Sequence, residues 1–95
     1  MTVEEFRTQL ENILTGLNSS GFMSIDSEIV EKLEKLAVSA GELGLKEGNR
    51  LIENLVNVMK AIEEGIANAK SAYLRLTALD FYLKKLSGSD NIEDL

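Results

Sequence analysis

Apolar residues recur along this chain at alternating steps of three and four from Val3 to Leu86. That spacing returns to one face of a 3.6-residue turn, so it predicts helices packed on helices. A first helix is predicted over 3–17, with Val3, Phe6, Leu10, Ile13, Leu14 and Leu17 on its inward face. Thr2 and Glu5 have the spacing of a capping box that opens it, and Asn18-Ser19-Ser20-Gly21 supplies the residues that end helices. A second helix starts near the N-cap residue Asp26 and runs to the pair Gly41 and Gly44, either of which suits a left-handed C-terminal turn. Its inward line is Ile29, Val30, Leu33, Leu36, Ala37, Ala40 and Leu43. Phe22 and Met23, in the loop between these helices, are expected to fold back over the end of the bundle.

A third helix is expected over 45–64 and a fourth over 67–86. The third turns Leu51, Ile52, Leu55, Val56, Val58, Met59 and Ile62 inward and keeps Glu53, Asn57, Lys60 and Glu64 on the other side. Gly48 falls on its inward line, where a missing Cβ lets a neighbour approach closely. The fourth carries Ala69, Ala72, Leu76, Leu79, Leu83 and Leu86 in heptad spacing. Between the two, the apolar line passes unbroken through Ile62, Ile66, Ala69, Tyr73 and Leu76, and only Gly65 and Asn68 argue for a turn. The expected architecture is therefore an all-α, up-and-down antiparallel bundle of four helices, with three helices (the last two continuous) as the alternative. Residues 1–87 form its single domain, and 88–95 are expected to be an acidic flexible tail.

Composition sharpens this picture mainly by what it removes. The 95 residues contain no histidine, cysteine, tryptophan or proline, so disulfides, thiolate chemistry and histidine-based metal or acid–base sites are excluded. Glu4, Glu11, Glu31, Glu34, Glu53 and Glu63 all fall on predicted solvent faces, with helical ion pairs such as Glu31 with Lys35. Neither a metal, a cofactor nor a catalytic residue is expected, and the chain is read as a non-enzyme. The stretch Gly41-Glu42-Leu43-Gly44-Leu45-Lys46-Glu47-Gly48 lacks the Gly-Lys-Ser/Thr ending of a phosphate loop and follows a helix. Residues 55–64 (LVNVMKAIEE) resemble the second helix of acyl carrier proteins, yet Leu51-Ile52-Glu53 stands where that family has its Asp-Ser-Leu attachment motif. A histidine-phosphotransfer bundle would need a histidine, which this chain does not have.

The formal net charge of −6 is unevenly placed. Residues 1–65 carry 12 acids against 6 bases; residues 66–87 carry Asp80 against Lys70, Arg75, Lys84 and Lys85; the last eight residues add three acids. An acidic body disfavours nucleic acid, and the basic fourth helix is expected to pair with the acidic helices around it. No apolar run has the length of a membrane span, and the start Met1-Thr2-Val3-Glu4-Glu5 has no secretory pattern, so a cytoplasmic protein is expected.

One face departs from the one-sided pattern. At 100° per residue, Leu74, Ala78 and Phe81 lie within about 40° of the point opposite Leu76, a second apolar line on the outside of the fourth helix. Lys70 and Lys85 flank it, with Tyr82 nearer its edge. An aromatic anchor rimmed by charge is the usual composition of a protein contact. The expected function is protein–protein interaction through this face, as an adaptor, regulator or assembly subunit, with a homodimer as the simplest form. The alternative is a carrier that holds a lipid or acyl chain between its helices.

Overall fold

The structure, a computed structural model, describes the backbone of residues 1–93 and the side chains of residues 1–86. Four helices follow one another: α1 (Val3–Ser20), α2 (Ser27–Glu42), α3 (Lys46–Glu63) and α4 (Ala69–Glu93). α1 packs against α2 and α4, and α3 against α2 and α4, while the backbones of the two diagonal pairs stay apart. Short connections joining consecutive neighbours around such a ring make the up-and-down four-helix bundle.

Two glycines settle the chain's path. At the end of α2, Gly44 takes φ +79°, Leu45 N–H donates to the Ala40 carbonyl at 2.8 Å, and Gly44 N–H donates to the Gly41 carbonyl at 3.1 Å. At the end of α3, Gly65 takes φ +78°, with Ile66 N–H on Ala61 at 2.8 Å and Gly65 N–H on Ile62 at 3.0 Å. Both are Schellman turns, which satisfy the last carbonyls of a helix and need a residue that tolerates the left-handed region. The continuous-helix alternative therefore fails at Gly65. The apolar line that seemed to run through it also breaks: Ile66 is 76% exposed. Gly41, in the last turn of α2, and Gly44 bracket its stop as expected, and Gly44 takes the left-handed conformation.

The helix starts follow their capping residues. Thr2 N–H donates to Glu5 Oε1 at 2.9 Å and Glu5 N–H donates to Thr2 Oγ1 at 3.1 Å, the reciprocal capping box. Hydrogen bonds from the Thr2 backbone and then its side chain hold the Glu5 carboxyl below the usual carboxylate range. Asp26 accepts from Glu28 N–H at 2.9 Å at the start of α2. α3 opens without a side-chain cap hydrogen bond, since Leu45 stands at its N-cap position.

The core is drawn from all four helices and the first loop. Leu10, Leu33, Ile52, Leu55, Ala72 and Leu79 are fully enclosed, and no polar side chain among the described residues is buried with them. Phe22 folds back into this core as expected, edge-on to Tyr73 with ring centroids 5.0 Å apart. Met23 does not; it is 96% exposed. Val3, expected inward, is also exposed, since it sits in the first turn of α1, before the buried line opens at Phe6. Asn49 reaches across from α3 to donate to the Ala37 carbonyl of α2 at 2.7 Å.

Two helix ends differ from expectation. α1 continues through Asn18, Ser19 and Ser20 to Gly21, where Ser20 Oγ bonds the Gly16 carbonyl at 2.9 Å. Exposed polar residues stop a helix only if their side chains capture its backbone elsewhere, and here one is satisfied within it. α4 runs past Leu86 to Glu93, into the expected acidic tail, whose last two residues lie outside the described ones.

Candidate interaction face on the fourth helix

The helices α1, α2 and α3 are each one-sided, apolar inward and polar outward, but α4 has almost no net amphipathicity. Its inner line, Ala72, Leu76, Leu79 and Leu83, is buried. Its outer line leaves Leu74 59% exposed and Phe81 61% exposed, with Ala78 half-buried between them. Among the described residues no other helix buries Leu74 or Phe81. Lys85 Nζ lies 5.4 Å from the centroid of the Phe81 ring, within reach of its negative face.

These residues border a shallow groove of about 400 Å³ between α4 and the first turns of α3. Leu74, Ala78, Phe81, Tyr82 and Lys85, all expected at the face, line it, together with Thr77 of α4 and with Glu47 and Leu51 of α3. Lys70 stands exposed one turn before Leu74, outside the groove itself. The α3 wall carries no sequence signal of its own, because which helix lies beside α4 is a tertiary matter. Gly48 was the one hint.

Tyr82 forms the floor where the two helices meet. A Cβ on Gly48 would stand 2.8 Å from the Tyr82 hydroxyl and 3.0 Å from Cε2, so the tyrosine occupies the space the glycine leaves. Burial pushes the Tyr82 phenol above its ordinary pKa and Glu47 adds to the shift, while a hydrogen bond with the Gly48 backbone opposes it. Gly48 is the third residue of α3, whose first backbone donors have no partner within the helix.

The charges do not pair as the sequence suggested. Among the described residues the ion pairs are Arg7 with Glu11, Arg50 with Glu47, Lys84 with Asp80, and Lys60 with Glu34, and only the last joins two helices. Glu31 and Lys35 do not meet, and among the described residues no carboxylate pairs with Lys70, Arg75 or Lys85. Neighbouring helices satisfy each other by apolar burial, and α4's cations are left facing solvent. The glutamates expected on solvent faces are there, all six exposed.

Other grooves open on the surface. One of about 590 Å³ between α1 and α2 has Ile13 and Leu36 on its floor, with Gln9, Asn12, Lys32, Lys35 and Ser39 around them. Another, of about 400 Å³, lies beside the Lys60–Glu34 pair. No helix among the described residues is long and apolar enough to cross a membrane. Comparison with known proteins finds no family model that matches this chain, and no curated protein or solved structure similar to it.

Proposed function

We propose that this bundle is a non-enzymatic protein-interaction domain that engages its partner through the outer face of α4. The observation that carries the reading is the exposed pair Leu74 and Phe81, seven residues apart on a helix whose inner line is already buried. A monomeric domain gains nothing from a second apolar line at two helical turns' spacing, whereas a helix-reading partner uses that spacing for its anchors. The bracketing lysines fit the polar rim of such a contact.

The carrier reading has one point in its favour, since the α1–α2 groove falls within the volume range of small-ligand sites. Against it, five of the eight residues lining that groove are polar or charged, and it opens at the surface. The interaction reading is the better supported.

The test is a pull-down in which the wild-type chain and the double variant Leu74→Glu with Phe81→Glu are used side by side, with light scattering of each. A partner, or a second copy, that is held by the wild type and lost from the folded double variant supports the reading. Identical masses and identical captured proteins overturn it.

A further inference from the structure

We infer that the occupant of the α4 face is an amphipathic helix of another protein, apolar along its middle and acidic at both ends. The inference rests on the interaction reading above and gives that partner its chemistry. The outer line of α4 reads, in order, Lys70, Leu74, Ala78, Phe81 and Lys85. Lysines close the apolar stretch at both ends, about 22 Å apart at 1.5 Å per residue. Among the described residues neither lysine is paired with a carboxylate, although residues 1–65 of the same chain carry twice as many acids as bases. A cationic strip on an acidic body is complementary to a partner that brings its own acids to the same two places.

The order of residues also decides against a second copy. A two-fold contact must place each residue against its symmetry mate. Burying both Leu74 and Phe81 in an antiparallel pair of α4 helices requires Leu74 of one to meet Phe81 of the other, which centres the axis between Thr77 and Ala78. The same register then sets Lys70 against Lys85 at each end, four cations in two like-charged pairs. An acidic helix meets the identical apolar anchors and turns each repulsion into an attraction.

The two occupants respond oppositely to salt. Screening weakens attraction between a cationic face and an acidic helix, and it relieves repulsion between two copies. The probes are two synthetic helical peptides with one shared central line of leucine and phenylalanine, ended by glutamates in one and by lysines in the other. Binding to the full chain is followed by fluorescence anisotropy at low and high salt. The glutamate-ended peptide should bind about tenfold more tightly at low salt, the factor a few partly exposed ion pairs supply. Salt should shrink that advantage, and the double variant Lys70→Glu with Lys85→Glu should invert it. If both peptides bind equally and Phe81→Glu abolishes both, the acidic partner is wrong while the α4 face stands. If neither binds, or Phe81→Glu changes nothing, both readings fall. A dimer that strengthens with salt and is lost in Phe81→Glu overturns the inference in favour of a second copy.

Discussion

The phenol of Tyr82 lies beside Gly48, filling the space that any side chain there would need. Gly48→Ala therefore sets two effects against each other. Alanine gains about 1 kcal/mol of helix propensity over glycine, but overpacking a fitted contact costs about 1 to 3 kcal/mol. Steric conflict should win, because the ring carbons Cε2 and Cζ, at 3.0 and 3.1 Å, crowd the new Cβ, as does the hydroxyl at 2.8 Å. Chemical denaturation should show a net loss of about 1 kcal/mol. In the Tyr82→Ala background the same Gly48→Ala change should become neutral or stabilising, a coupling that unrelated sites would not display.

The same substitution changes sign elsewhere in the chain. Gly65 has open space around the position of a Cβ, but its φ of +78° disfavours every L side chain. Gly65→Ala should destabilise by about 1 to 2 kcal/mol through the backbone alone. Gly16 is an exposed residue in the body of α1, also with nothing nearby and with no positive φ. There Gly16→Ala should stabilise by about 0.5 to 1 kcal/mol. Equal melting temperatures for the two variants would contradict the turn assigned at Gly65.

Leu10, Leu33, Leu55 and Leu79, one from each helix, are completely buried. Each truncation to alanine should cost about 2 to 5 kcal/mol, against a total of about 5 to 10 kcal/mol for a domain this small. Loss of the cooperative melt in any of the four fits this account. Melting within a few degrees of wild type in two of them would contradict it.

These four leucines were legible in the sequence because helical periodicity places each at the middle of an apolar stripe. The capping box at Thr2 and Glu5 was legible for a similar reason: both partners lie within one turn. The break at Gly65 was only half legible, since Ile62 and Ile66 continue the inward spacing and the left-handed turn depends on which carbonyls need partners. At the candidate face, the α4 residues followed from angular position alone. Glu47 and Leu51 did not, because no local pattern says which helix borders the groove. The expected charge pairing of α4 failed on reach: net charge along a chain does not say whether lysines and glutamates face each other.

Tyr82 should reveal itself in alkali. In the Tyr73→Phe variant it is the sole tyrosine, and its ionisation can be followed by absorbance near 295 nm. Burial and then Glu47 raise its pKa, against the opposing Gly48 backbone bond, so the transition should lie above the ordinary phenol value of about 10. A folded-state pKa raised above the unfolded one means that Tyr82 stabilises the fold fully below about pH 10 and that this contribution fades as pH climbs through the shifted value. Denaturation midpoints should fall over that range and fall less in Tyr82→Phe. A titration at the ordinary phenol value would remove the buried contact with Gly48.

Phe81→Glu should leave the fold intact, and this separates binding from stability. Phe81 points away from the core and is 61% exposed, where substitutions usually change stability by no more than about 0.5 kcal/mol. The change removes the contact between Lys85 Nζ and the ring, 5.4 Å from its centroid, which at an exposed site is worth about 0.5 to 1 kcal/mol. It also places a carboxylate four residues before Lys85, the favourable order for a helical ion pair of about 0.3 to 0.5 kcal/mol. The two nearly cancel, so thermal melts of Phe81→Glu and wild type should coincide within a few degrees at low salt. At high salt the variant should lose part of that compensation and fall slightly below wild type. A large loss of helix in Phe81→Glu would mean that the ring belongs to the core, and that α4 has no free outer face to offer.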